Sequence, residues 1–290
     1  MAGGHLAGAP PWEGIDMVLS KAVAKAKRPG GGFRVKKALI LDTSRAHVHQ
    51  LAQRKLFIRI PEEDGGGLGL LLRTMYVTRD AAAGWEEYRR EKLALAGYKA
   101  GSSCPCAFPN ADGSSSGVVH GDDFVFEGEE QQLDAMEAEL RKHMLVQRKA
   151  LRGPDPSDNK HAMILNRLVS YVMDPYGVKS RITMEPDPRH AQILVRELGP
   201  SGHGSKAVST PTEKGASYYD ETPLKGQEEA KAYRSLCMRL GILAQDAPHL
   251  QYVANKCCKH MAVPTIGGLA RLKRVARFLK GEPSSIGMAM

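Results

Sequence analysis

Gly121-Asp122-Asp123 separates two short apolar runs, Val118-Val119-His120 and Phe124-Val125-Phe126. A glycine ahead of two carboxylates permits a tight reversal. Apolar residues on both flanks call for burial, so the segment reads as a β-hairpin with an acidic tip. Adjacent carboxylates repel each other unless a cation or partner offsets them. Upstream, Lys37 to Asp42 (KALILD) reads as a short buried strand closed by a third carboxylate. A strand end and a hairpin tip can bring Asp42, Asp122 and Asp123 together. Several hard carboxylate oxygens on rigid elements are what two magnesium ions about 3.5–4 Å apart require. An Asp-Asp turn by itself is more often only solvated. The flanking strands and the strand-ending Asp42 give this one its weight.

The other elements follow from periodicity. Ile15 to Ala26 reads as a helix with Met17, Val18, Ala22 and Val23 on one strip, ended by Pro29-Gly30-Gly31-Gly32. Leu56 to Ile60 reads as a strand, stopped by Pro61 and the turn Gly65-Gly66-Gly67. Residues 80–97 read as a helix carrying Trp85, Tyr88, Leu93 and Leu95, with Gly97 as its stop. Glu129 to Met144 is amphipathic, with Leu133, Met136, Leu140 and Met144 on one face. Ala162 to Val172 and Lys179 to Met184 read as strands joined through Asp174-Pro175-Tyr176-Gly177, and Pro188 to Leu198 as a helix. Pro200 to Tyr219 reads as a linker. Gln227 to Gly281 reads as helices broken near Pro248 and Pro264. Mixed elements followed by helices alone make the fold class α+β.

The chain has 290 residues, a net charge of +9 and five cysteines. That length fits one large or two modest domains, and the basic excess suits a polyanionic partner, nucleic acid or anionic membrane. No apolar run approaches the roughly 18–20 residues that cross a bilayer. Met1 to Pro11 has no signal-peptide character, so an intracellular protein (cytoplasm or nucleus) without a membrane partner is expected. Cys104, Cys106, Cys237, Cys257 and Cys258 lack zinc-site spacing and read as free thiols. Residues 231–281 carry ten Lys and Arg against a single Asp, an excess equal to that of the whole chain. Here Arg271, Lys273, Arg274, Arg277 and Lys280 recur at helical spacing beside Leu272, Val275 and Leu279. Together with Lys256 and Lys259 they form a candidate surface for phosphates. The alternatives are a solvated charged face and a membrane-surface helix.

A run of weak matches in one order makes the stretch from Leu39 to about Leu279 resemble the reverse transcriptase of copia-type retrotransposon polyproteins. Leu41-Asp42-Thr43-Ser44-Arg45-Ala46-His47 resembles the first palm motif, and Phe57-Ile58-Arg59-Ile60-Pro61 the strand after it. Met75-Tyr76 through Ala81 to Trp85 resembles the second palm motif. His120-Gly121-Asp122-Asp123 stands where Tyr-Val-Asp-Asp is usual. Ile164-Leu165-Asn166-Arg167, Pro188-Arg189-His190-Ala191, Val208-Ser209-Thr210-Pro211, Tyr233-Arg234-Ser235 and Pro248-His249-Leu250-Gln251-Tyr252 resemble later elements in order.

The resemblance implies an RNA-directed DNA polymerase with a right-hand fold: an antiparallel palm sheet with packed helices, then a helical, basic thumb and connection. The implied divisions are a lead over 1–34, a palm over 35–199, a linker over 200–225, a thumb over 226–281 and a tail over 282–290. Asp42, Asp122 and Asp123 would be catalytic ligands of two Mg2+ ions, or Mn2+ in their place. Thr43 and Ser44 would border the dNTP triphosphate, and His47 would stand where an aromatic ring screens the sugar. Arg79 would keep the family's positive charge. A template-primer duplex of RNA or DNA would follow the basic helices.

Two residues depart from the second palm motif: Val77 stands in place of Gly and Asp80 in place of Gln. About forty residues precede Asp42 without a fingers pattern, so a truncated element or one segment of a split gene is expected. A catalytically silent palm and thumb that still binds nucleic acid is the alternative.

Overall fold

The computed structural model describes residues 12–24, 26–27, 33–174, 180–198, 206–281 and 288–289. The expected helix stop at 29–32, the Pro175–Gly177 part of the strand connection, and residues 200–205 of the linker lie outside this set. The described chain is α+β, with seven helices and a five-stranded antiparallel sheet. It divides into a sheet unit, within Met1–Ala162 and Tyr171–Ile182, and a helical unit, within Met163–Ser170 and Thr183–Met290.

In the sheet unit, helix α1 (Trp12–Val23) precedes strand β1 (Lys37–Thr43). A small hairpin follows, β2 (Phe57–Arg59) paired with β3 (Leu68–Leu70) around the expected glycine turn. Helix α2 (Ala81–Leu95) leads to β4 (Ala107–Pro109), β5 (Ser116–His120) and β6 (Asp123–Gly128). Helix α3 (Glu130–Arg141) and β7 (Val146–Arg152) complete the layer. The sheet order is β4-β5-β6-β1-β7, antiparallel at each pairing. β1, early in the chain, is inserted beside the later hairpin and lies at the centre.

Strand alternation explains the two cores. Leu39, Leu41, Phe124 and Phe126 pack with Trp85 and Leu93 of α2 and with Leu133, Met136 and Leu140 of α3. Ala38, Ile40, Val118 and Val125 are buried too, and α1 packs on these strands through buried Ile15, Val18 and Leu19. A sheet covered on both faces explains why KALILD is a continuous apolar run rather than an alternating one. At one end of β1 the buried Lys37 ammonium meets Asp158 at 2.8 Å, Asp155 at 2.6 Å and Glu130 at 2.8 Å. At the other end stands Asp42.

One expected strand is divided. Ala162 to Val172 forms β8 (His161–Ile164) and β9 (Arg167–Met173), because Leu165 and Asn166 turn with φ of 46° and 63°. β10 (Ser180–Pro186) lies beside β9. Asn tolerates this left-handed region, but the preceding Leu hides the signal.

The helical unit holds α4 (Pro188–Leu198), α5 (Gln227–Asp246), α6 (Pro248–Cys258) and α7 (Ile266–Gly281). Leu194, Tyr233, Leu240, Leu250, Val253, Leu272 and Phe278 meet in its core. Arg167 donates to Asp246 at 2.6 Å within this core, with both side chains nearly buried. The expected linker is not free over 206–219. Arg277 donates to the Lys206 carbonyl at 3.1 Å, and Arg274 pairs with Glu213 at 2.7 Å.

Candidate functional site

The acidic tip is built by pairing. β5 and β6 are joined by Gly121 and Asp122, with Gly121 at φ 64°, a two-residue hairpin with glycine first. β6 then pairs with β1 so that Asp123 lies directly opposite Asp42. Residues opposite each other in antiparallel strands share a face, with Cβ atoms about 4.5–5.5 Å apart. The same row continues through His120, opposite Asp123 in β5, and Gln147, opposite Asp42 in β7. Asp122 is exposed at the tip. Its carbonyl accepts from the Thr43 amide at 2.9 Å, which ties the turn to the end of β1.

Electrostatics mark the same cluster. The Asp123 carboxyl is pushed up to about 6 by burial, then by the Asp122 and Asp42 carboxylates, with Lys149 opposing. Lys149 Nζ lies 3.5 Å from Asp42 Oδ2. A β-bulge puts it there. The register of β1 on β7 shifts between Ile40, opposite Ala150, and Leu41, opposite Arg148, leaving Lys149 as the extra residue. Bulges re-aim side chains in this way.

Helix α2 fixes the hairpin from below. Trp85 Nε1 donates to the Gly121 carbonyl at 2.9 Å, and Arg89 Nη1 donates to the same oxygen at 3.2 Å. A cavity of about 310 Å³ opens beside this clamp, lined among others by His47, Tyr76, Trp85, Arg89, His120 and Asp122. His47 packs edge-on against Tyr76, with ring centroids 4.6 Å apart. His47 Nδ1, His120 Nδ1 and Arg89 Nε are buried without a hydrogen-bond partner. Burial, and then the Arg89 charge, push His120 below the usual imidazole value, so its ring is neutral at pH 7. Aromatic walls with a few unpaired polar atoms suit a small planar, polar ligand.

Several expected nucleotide contacts are already engaged or lie away from the cavity. The Thr43 side chain is buried and its amide is engaged with Asp122, while the Ser44 amide donates to the Leu145 carbonyl at 2.9 Å. Neither amide is available to a phosphate. Arg79 is exposed and is not part of the cavity wall. Asp80 precedes α2 and is neutralised by Arg54, at 3.1 Å from its carboxylate.

The single basic face expected on α7 is divided. Lys273 and Lys280 are exposed, as is Lys259 beyond α6, and Lys256 is half-buried. Arg274 is buried and held by Glu213 and by Thr210 Oγ1, and Arg277 holds the Lys206 carbonyl. These two arginines fasten the 206–213 segment to α7 instead of facing solvent. Helical spacing alone cannot separate cations that clamp a neighbouring segment from cations that face water.

Lys149, Trp85 and Arg89 were missed as site residues. The first depends on a bulge, which leaves no local signature. The other two depend on a helix meeting a turn more than thirty residues away. Among the described residues, no group of three or more His, Cys, Asp or Glu side chains is gathered closely enough to hold a metal ion, and no helix is long and apolar enough to cross a membrane. No protein-family model matches the chain, and no curated protein matches it.

Proposed function

We propose that the sheet unit is a polymerase palm of reverse transcriptase descent, whose chemistry is nucleotidyl transfer to a primer 3′-hydroxyl. The observation that carries this reading is the placement of Asp42 directly opposite Asp123, with Asp122 at the adjoining turn. The donor chemistry suits divalent cations: Asp42 and Asp123 are paired across the strands, and Asp122 adjoins them at the turn. Burial, followed by the two neighbouring carboxylates, lifts the Asp123 carboxyl, although the three are not gathered into a closed ligand set without a cation. Bound there, two magnesium ions would activate the hydroxyl and steady the leaving pyrophosphate.

The chain's own residues supply the remainder. Asp42 and Asp123 would hold the cations from a rigid pair of strands, and Asp122 would complete the set from the tip. Trp85 and Arg89 keep the Gly121 carbonyl, and with it the tip, in place. The cavity beside Asp122 would take the base and sugar of a dNTP. His47 and Tyr76 wall that cavity, in the place where the sugar would be screened for a 2′-hydroxyl.

A second reading is a silent remnant that binds nucleic acid through its basic helices. It is favoured by the Lys149–Asp42 pair, which gives one carboxylate a counter-ion without any metal. Mn2+ titration followed by electron paramagnetic resonance separates the two. The polymerase reading predicts saturable binding that is lost in Asp42→Asn and Asp123→Asn. Unsaturable binding, or binding indifferent to both variants, supports the remnant.

A further inference from the structure

The helical unit carries a cleft between α6, α7 and the short 3-10 turn Ala216–Tyr219. Tyr219 and Tyr252 line it and are 71% and 64% exposed. Each ring has its own cation. The Arg271 guanidinium lies 5.7 Å from the Tyr219 centroid, and Lys256 Nζ lies 5.4 Å from that of Tyr252. The cleft also contains Glu213, but that carboxylate is engaged by Arg274 at 2.7 Å and by the Tyr218 hydroxyl at 2.8 Å. Among the described residues, Arg271 and Lys256 have no carboxylate partner. The cleft thus offers two exposed aromatic rings, each with a cation over one side that has no carboxylate partner among the described residues, and an acid that is already engaged.

We propose that this cleft binds single-stranded nucleic acid. Unpaired bases stack on Tyr219 and Tyr252, and the adjoining phosphates contact Arg271 and Lys256. Stacking on aromatic side chains beside a cationic track is the sequence-tolerant way to hold an unpaired strand. An acidic peptide would use the cations but leave both rings without a planar partner. The choice of nucleic acid rests on the reading given above, but the cleft lies in the other unit and shares no residue with the acidic tip.

Fluorescence anisotropy of the full chain with a labelled oligo-dT, an abasic strand of equal length and a poly-Glu peptide tests the proposal. Oligo-dT is expected to bind at least tenfold more tightly than the abasic strand, about the worth of one stacked base. Tyr219→Leu and Tyr252→Leu each remove most of that preference and leave abasic binding unchanged. Arg271→Gln lowers the salt dependence by about 0.7 in log–log slope. Equal affinity for dT and abasic strands in the wild type would overturn the proposal, as would poly-Glu binding as tightly as oligo-dT. Neither result depends on a variant folding. Loss of polymerase activity with the dT preference intact would remove the palm reading alone. Loss of the preference with activity intact would remove the cleft alone.

Discussion

Asp42 and Asp123 face each other across neighbouring antiparallel strands, at the end of a sheet whose opposite end is closed by Lys37 and its three carboxylates. Lys37 gives that end of the sheet a structural counter-charge. At the Asp42 end, among the described residues, Lys149, about half exposed, pairs with Asp42, and Asp122 and Asp123 have no ion-pair partner. Surplus negative charge held on rigid strands is costly to stability, and a bound cation, as proposed above, would offset it.

Asp123 should make stability depend on pH. Its carboxyl titrates near 6 in the fold, above its ordinary value of 3.8, so the protonated form is the one the fold prefers. The contribution is full below about pH 4 and is lost as pH rises through 6. Asp123→Asn should therefore raise the melting temperature at pH 7, with a gain that shrinks through pH 6 and disappears near pH 4. Thermal melts of both proteins across this range check it. A gain independent of pH would contradict the assignment.

Val77 occupies a left-handed conformation, φ 73°, on a fully exposed turn. The resemblance described for the sequence would put Gly at this position. A β-branched residue is strained there by about 1–2 kcal/mol, partly offset by the greater freedom glycine gives the unfolded chain. Val77→Gly should stabilise the protein by about 0.5–1 kcal/mol in urea denaturation, whereas Val77→Ile should not.

The Arg167–Asp246 pair should behave as a buried ion pair. Arg167→Met leaves Asp246 without its main partner in a nearly buried place and should cost about 3–5 kcal/mol. Arg167→Met combined with Asp246→Leu should recover most of the loss. Chemical denaturation of the two single variants and the double variant measures the coupling.

Gly117 lies opposite Phe126, and a Cβ added there would come within 2.3 Å of the ring. Gly117→Ala must displace Phe126 from the core beneath the acidic hairpin. A loss of about 1–3 kcal/mol is expected, with a change in near-ultraviolet circular dichroism.

The sequence made the acidic hairpin legible because every local signal there agrees: glycine at the reversal, apolar flanks, and Asp42 closing a continuous apolar run. The helices were legible from their apolar strips, and Leu133, Met136, Leu140 and Met144 are all buried as their spacing requires. What escaped depends on long-range geometry. The bulge that aims Lys149 arises only when β7 pairs with β1. The division of the 162–172 run turns on the conformations of Leu165 and Asn166, set between two β-prone stretches. Arg274 was legible as a cation on a helix, but not as the buried partner of Glu213.

Primer extension on poly-rA/oligo-dT with Mg2+ tests the central claim most directly. The palm reading predicts dTTP incorporation by the wild type and its loss in Asp122→Asn and in Asp123→Asn, with both variants folded by circular dichroism. No incorporation by folded wild-type protein with either Mg2+ or Mn2+ would contradict it, as would incorporation that both variants retain.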